Sequence, residues 1–260
     1  MTALLELSHV ARSFGSLRAV DDVTFSVAEG ARRALIGPNG AGKSTLFNLI
    51  GGSLRATSGK IRFDGRDITG TPEHRRARLG VARTFQHSAV FLAETTVENV
   101  LVGVAREAGV GGSFTRAALR RHALVDRCVD LLDTVGLAGR YDIPAGHLSH
   151  GERRQLEIAM ALGTRPRLLL LDEPAAGMSA AETARFTALI AELPRDVTVL
   201  LIEHDLDVVF ELADTVTVLH LGRHLATGTP EEIRVNSEVQ KAYLGAADLD
   251  DLFVTPEVTP

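Results

Sequence analysis

The stretch Gly37, Pro38, Asn39, Gly40, Ala41, Gly42, Lys43, Ser44, Thr45 constrains this chain more than any other feature. It matches G-x-x-x-x-G-K-[ST], follows an apolar strand ending at Ile36 and precedes a helix beginning near Lys43. That context is what the motif needs. Gly37, Gly40 and Gly42 can take positive φ and let the backbone approach a phosphate closely. Successive amide N–H groups and the helix N-terminus then form an anion nest. Lys43 adds a point charge for β- and γ-phosphates, and Ser44 offers a hydroxyl to Mg²⁺. Of the 28 basic residues only Lys43, Lys60 and Lys241 are lysine, so a lysine at this place is not background. The pattern predicts nucleotide binding. By itself it does not separate a kinase, a GTPase and a transport ATPase.

The rest of the chain supplies a sheet to carry the loop. Short strands are expected at Leu4–Ser8, Val23–Val27, Arg33–Ile36 and Lys60–Phe63. Val23, Phe25 and Val27 alternate with polar neighbours, as a half-buried strand does. The middle reads as helices, with Arg116–Val135 the longest. The last third alternates: strand Leu168–Leu171, helix Ala180–Leu193, strand Val197–Ile202, helix Asp205–Ala213, strand Val216–Leu219. Such alternation implies βαβ units and a parallel sheet. The stretch Ala246–Pro260, acidic and holding two prolines, is expected to be a solvated, disordered tail.

Composition removes several classes. With 260 residues, 45% of them apolar, the chain can hold one large domain or a core with a modest insertion. A net charge of −5 gives no electrostatic case for nucleic acid. No apolar run approaches the ~18 residues of a membrane span, and Met1–Val10 lacks the pattern of a secretory signal. The single cysteine, Cys128, excludes an intramolecular disulfide, fits a reducing compartment and reads as a small apolar residue on a helix.

Leu168–Asp172 is a short apolar strand ending in a carboxylate, with Glu173 directly after it. Acidic residues at the carboxyl end of a parallel strand sit where open α/β sheets bind ligands. Asp172 suits a Mg²⁺ contact through water, and Glu173 suits general-base activation of an attacking water. Taken alone, the two carboxylates read equally well as caps of the next helix. His204 follows the next strand and would emerge at the same sheet edge, within reach of a γ-phosphate. His147 and His150 are three apart, but no cysteine or further histidine completes a metal site. Leu148-Ser-His-Gly-Glu152 precedes the helical stretch Arg153–Leu162. A Ser and a Gly before a helix make a second anion site, or simply an N-cap.

That segment, about twenty residues before Asp172–Glu173, resembles the signature sequence of ABC ATPases, and other family elements fall in order from residue 3 to about 245. The resemblance implies a P-loop NTPase core with an N-terminal antiparallel β subdomain and an inserted α-helical subdomain. Its core is expected at 1–86 and 166–245, its helical insertion at 87–165. Phe14 resembles the aromatic residue that stacks on adenine. Gln86, in Arg83-Thr-Phe-Gln-His87, resembles the glutamine that touches Mg²⁺ and faces a membrane partner. Asp172 and Glu173 resemble the Walker B aspartate and catalytic glutamate, and His204 the switch histidine. Ser149 and Gly151 are the expected phosphate contacts of the signature, offered to the opposite subunit of a pair. Two departures stand out: His150 and Glu152 replace the commoner glycine and glutamine, and Ser179 stands where many relatives place an aspartate.

Arg83-Thr-Phe-Gln-His87, Asp172-Glu-Pro-Ala-Ala-Gly177, Gly228-Thr-Pro-Glu-Glu-Ile233 and Ala242-Tyr-Leu-Gly245 resemble ATP-binding subunits of branched-chain and hydrophobic amino acid importers. The helical region near Arg106–Arg140 is similar to the larger of their two ATPases. Leu148-Ser-His-Gly151 with Ala176-Gly-Met178 also resembles ATPases of urea and amide importers. Lipid or lipopolysaccharide exporter ATPases are close in sequence, and non-transport ABC ATPases form a further alternative, though those usually carry paired cassettes or coiled-coil insertions. The resemblance implies ATP and Mg²⁺ as cofactors. It implies transmembrane permeases and a second ATP-binding subunit as partners, an extracytoplasmic binding protein acting indirectly, and no nucleic acid. It places the chain peripherally at the cytoplasmic face of the membrane.

Overall fold

The computed structural model describes residues 3–84, 89–110 and 122–244. The chain divides into two compact units, Met1–Pro72 with Leu200–Pro260, and Glu73–Val199. The fold is α/β, with an antiparallel sheet and a second sheet that contains parallel pairs.

In the first unit, β1 (Ala3–Phe14), β2 (Leu17–Ala28), β4 (Ser58–Phe63) and β5 (Arg66–Asp67) form a sheet of order β2-β1-β4-β5. Leu7 faces Phe25 and Val10 faces Val23 across the β1–β2 pair. Leu5, Leu7, Val10, Val23, Ile61 and Phe63 make its buried face. Beside it run β3 (Arg32–Ile36), β9 (Thr215–His220) and β10 (Arg223–Gly228), in the order β10-β9-β3. β3 lies parallel to β9, with Ile36 opposite Val218. Its start is pinned by Asp214, whose carboxylate accepts the Arg32 N–H at 2.8 Å while its own N–H donates to the Arg32 carbonyl at 2.8 Å. Burial on both faces suits the apolar residues Ala34, Leu35 and Ile36 of β3 and Val216, Val218 and Leu219 of β9. Helix α1 (Lys43–Gly51) sinks Leu46, Phe47, Leu49 and Ile50 into this core.

In the second unit, β6 (Val81–Arg83) pairs in parallel with β7 (Leu168–Asp172), Arg83 opposite Leu170. Around them stand α2 (Glu73–Arg78), α3 (Thr96–Glu107), α4 (His122–Thr134), α5 (His150–Gly163) and α6 (Ala180–Glu192). The stretch read as the longest helix is helical over His122–Thr134, and its start lies outside the described residues. Cys128 is fully buried on α4, and burial pushes its thiol up to about 12, which keeps it protonated and inert. Strand β8 (Thr198–Ile202) leads from the second unit back to the first. It is followed there by α7 (Leu206–Leu212), α8 (Pro230–Arg234) and α9 (Ser237–Leu244). Among the described residues no helix is long and apolar enough to cross a membrane.

Candidate functional site

The first unit holds the phosphate loop. It leaves β3 at Ile36 and enters α1 at Lys43, the strand–loop–helix order that the motif requires. Two of its glycines are irreplaceable for steric reasons. Gly37 has φ 147°, and a Cβ there would lie 2.1 Å from the Leu219 carbonyl oxygen. Gly42 has φ 97°, and its Cβ would lie 2.3 Å from the Ala19 carbonyl oxygen. The loop is thus pressed against β9 at Gly37 and against β2 at Gly42, with no room for a side chain at either position. The Ala41 carbonyl is tied down by the Gly222 N–H at 3.1 Å. Lys43 folds back over the loop, donating to the Gly37 carbonyl at 2.5 Å and the Pro38 carbonyl at 3.1 Å. Asn39, Gly40 and Ser44 are exposed, while Pro38 and Thr45 are half-buried.

The start of α1 differs in kind from other helix starts. Helices α3, α5, α6 and α8 each begin with a Ser or Thr whose side chain accepts the N3 amide, and with a glutamate at N3 returning the bond. Helix α1 begins at Gly42 with no side-chain cap and no acidic residue in its first turn. Its amide donors and the positive end of its dipole therefore favour an anion from outside the helix.

Phe14 ends β1, 43% exposed, with the Arg12 guanidinium 4.5 Å from its ring centroid. His204 follows β8 and is 68% exposed in its side chain. Its Nδ1 stands 3.8 Å from a carboxylate oxygen of Glu203, and its N–H donates to that oxygen at 3.2 Å. Glu203 itself is 1% exposed. Sequence reasoning passed over it, although a carboxylate ending an apolar strand was the signal that singled out Asp172. Tyr243 on α9 touches the loop, which the sequence did not signal. Its phenol, pushed up by burial, hydrogen-bonds the backbone of Gly37.

The second unit holds the other predicted residues except Gln86, which lies outside the described residues. Asp172 ends β7 and is buried, and Arg83 at the end of β6 donates to its Oδ2 at 2.9 Å. Glu173 follows with φ 46°, a left-handed conformation that it shares with His9, Asp22, Asp64, Arg165 and Leu221. Ser149 is the N-cap of α5, accepting the Glu152 N–H at 3.2 Å, while the Glu152 carboxylate accepts the Ser149 N–H at 2.8 Å. Two of the departing residues, Glu152 and Ser179, serve as capping groups here. Glu152 completes this capping box, and Ser179 caps α6 in the same way with Glu182. His150 brings α5 against the stretch after Glu173, its Nε2 lying 3.1 Å from the Ala176 carbonyl. Gly151 faces Glu182, where a Cβ would come within 2.9 Å of the carboxylate. A cavity of about 430 Å³ opens there, lined by Ser149, Gly151, Glu152, Glu182, Arg140 and Arg185. Arg140 holds Glu152 at 3.1 Å, which offsets its negative charge beside that cavity.

The Ser44 hydroxyl and the Asp172 carboxylate are hard oxygen donors, the kind Mg²⁺ selects. No group of three or more His, Cys, Asp or Glu gathers among the described residues. A Mg²⁺ held by one carboxylate and substrate phosphates does not require one.

Comparison with known proteins agrees with these features. The family described as ABC transporter matches residues 20–176. A family described as branched-chain amino acid ATP-binding cassette transporter matches residues 223–248. The chain is 45% identical to the high-affinity branched-chain amino acid transport ATP-binding protein BraF of Pseudomonas aeruginosa, over 94% of this chain and 98% of that one. It is 40% identical to the corresponding Escherichia coli protein LivG over the same shares. Among solved structures, the ADP conformation of an ATP-binding cassette of an ABC transporter superposes with a TM-score of 0.82. That match has 31% identity and covers 94% of this chain and all of the other.

Proposed function

The chain belongs to the ABC transporter family, whose cassettes bind and hydrolyse ATP, and on that premise we propose that it powers uptake of branched-chain or other hydrophobic amino acids. One observation carries the nucleotide reading: α1 alone among the long helices with described caps at both ends starts on a bare glycine behind a crowded glycine loop. The amides of Gly37–Thr45 and the ammonium of Lys43 hold the β- and γ-phosphates. Phe14 stacks on the adenine. By the family resemblance Ser44, Asp172 and Gln86 would be the residues for Mg²⁺, which would neutralise phosphate charge when bound. Glu173 takes a proton from the attacking water, a role supported by its place directly after Asp172 at the end of β7. His204, on its buried Glu203 neighbour, contacts the γ-phosphate. Ser149 and Gly151 offer their anion site to the nucleotide of a second cassette.

This reading sets the chain at the cytoplasmic face of the membrane, bound to transmembrane permeases and paired with an identical or sister ATP-binding subunit. An extracytoplasmic binding protein delivers substrate from the other side, and no nucleic acid takes part. In the same reading a helical subdomain over 87–165 is inserted in a core of 1–86 and 166–245. The amino acid substrate is supported by the names of the relatives and by the match at 223–248. Proteoliposomes containing the chain, its permeases and binding protein, with ATP inside, should accumulate leucine. Uptake of urea or amides without leucine, or export of lipid, would replace this substrate.

A further inference from the structure

Arg83 was read only as part of a family motif, but the fold gives it a partner. The parallel register sets Arg83 opposite Leu170, and the Thr84 N–H donates to the Leu170 carbonyl at 3.0 Å. This lock brings the ends of β6 and β7 level. Arg83 Nη2 then reaches Asp172 Oδ2 at 2.9 Å, with only 12% and 10% of the two side chains exposed. A guanidinium so placed is shielded from water, and its field at the carboxylate is poorly screened.

We infer that Arg83 is a built-in counter-ion of Asp172 that sets how tightly this cassette holds its divalent metal. The inference rests on the reading of Asp172 as a metal-binding residue. A divalent cation and a guanidinium make opposite use of one carboxylate. Each is stabilised by the negative charge, and each repels the other. Arg83 thus keeps the buried Asp172 charge neutralised before the metal arrives and lowers the affinity with which the metal is held. Coupling of this kind is reciprocal, so metal loading weakens the Arg83–Asp172 pair in turn. Arg83 is not a catalytic residue: it touches Asp172 and acts on the metal by charge alone.

The test is Mn²⁺ affinity, measured as free Mn²⁺ by electron paramagnetic resonance with a non-hydrolysed ATP analogue bound. Arg83→Gln keeps a planar donor and removes the charge. A unit charge a few ångström from a divalent ion alters its affinity by about tenfold even with water screening. Arg83→Gln should therefore tighten Mn²⁺ by about tenfold or more. Arg83→Lys, which keeps the charge, should stay near wild type. Asp172→Asn should weaken Mn²⁺ in its own right. Unchanged or weaker Mn²⁺ binding in Arg83→Gln, with Asp172→Asn still weakening it, overturns the role of Arg83 and leaves that of Asp172 standing. Mn²⁺ binding indifferent to Asp172→Asn removes the underlying reading, and this inference with it. Should the neutral variant not fold, the wild-type chain supplies the answer. Adding Mg²⁺ to the analogue complex should shift the ¹⁵Nε resonance of Arg83, and an unmoved resonance contradicts the coupling.

Discussion

Replacing Gly42 by alanine tests whether the phosphate loop is shaped by close backbone contact or by conformation alone. Gly42 has φ 97°, and an added Cβ would sit 2.3 Å from the Ala19 carbonyl, inside the 3.0 Å that real Cβ atoms keep. The left-handed backbone costs alanine about 1–2 kcal/mol. Forcing β2 and the loop apart adds about 1–3 kcal/mol, the usual range for overpacking. Gly40 is the internal control. Its φ is 78°, but nothing lies within 4 Å of the added atom. Gly40→Ala should therefore carry the conformational cost alone. In a chain of this size each kcal/mol lowers the melting temperature by about 2–4 °C. Without nucleotide, Gly42→Ala should melt several degrees below Gly40→Ala by calorimetry. It should also lose the thermal shift that an ATP analogue gives the wild type. Equal melting of the two variants would refute the claim that Ala19 and Gly42 are packed backbone to backbone.

The capping boxes predict a pH dependence. Glu98 is held below its ordinary pKa, first by the Thr95 N–H and then by the Thr95 hydroxyl. A depressed carboxylate contributes stability above its unfolded value of about 4.3, and that contribution fades as pH falls through the lower folded value. The stability gap between wild type and Glu98→Gln, measured by urea unfolding, should therefore shrink between about pH 6 and pH 3. A gap constant over that range would count against the box. A third prediction concerns the two anion sites. Lys43→Ala and Ser149→Arg homodimers should each fail to dimerise with a non-hydrolysed ATP analogue. A mixture should recover dimers by light scattering, because a mixed pair contains one site with both residues intact. No recovery would mean that each chain uses its own two sites.

Sequence legibility followed the simplicity of the local pattern. Buried strands β7, β8 and β9 and helix α6 fall within about two residues of their expected bounds, since apolar runs between caps are hard to misread. Strand β1 is longer than the expected Leu4–Ser8 because register shifts around Val10 and Arg12 break the alternation that periodicity detects. Strand β10 was missed because half of it is exposed and none of its residues is fully buried, so it has no apolar face to show. β6, at three residues, is too short to carry a period. The phosphate loop was legible because its motif is local. Arg83, Glu203 and Tyr243 were not, since each matters through a partner that only the folded chain supplies. Arg83 meets Asp172 across 89 residues of sequence.

The central claim is that this chain hydrolyses ATP with Glu173 as the base. Phosphate release by the assembled transporter should fall by roughly 10²–10⁴ in Glu173→Gln, while binding of a non-hydrolysed ATP analogue is retained. Near-normal phosphate release from that variant would contradict the account.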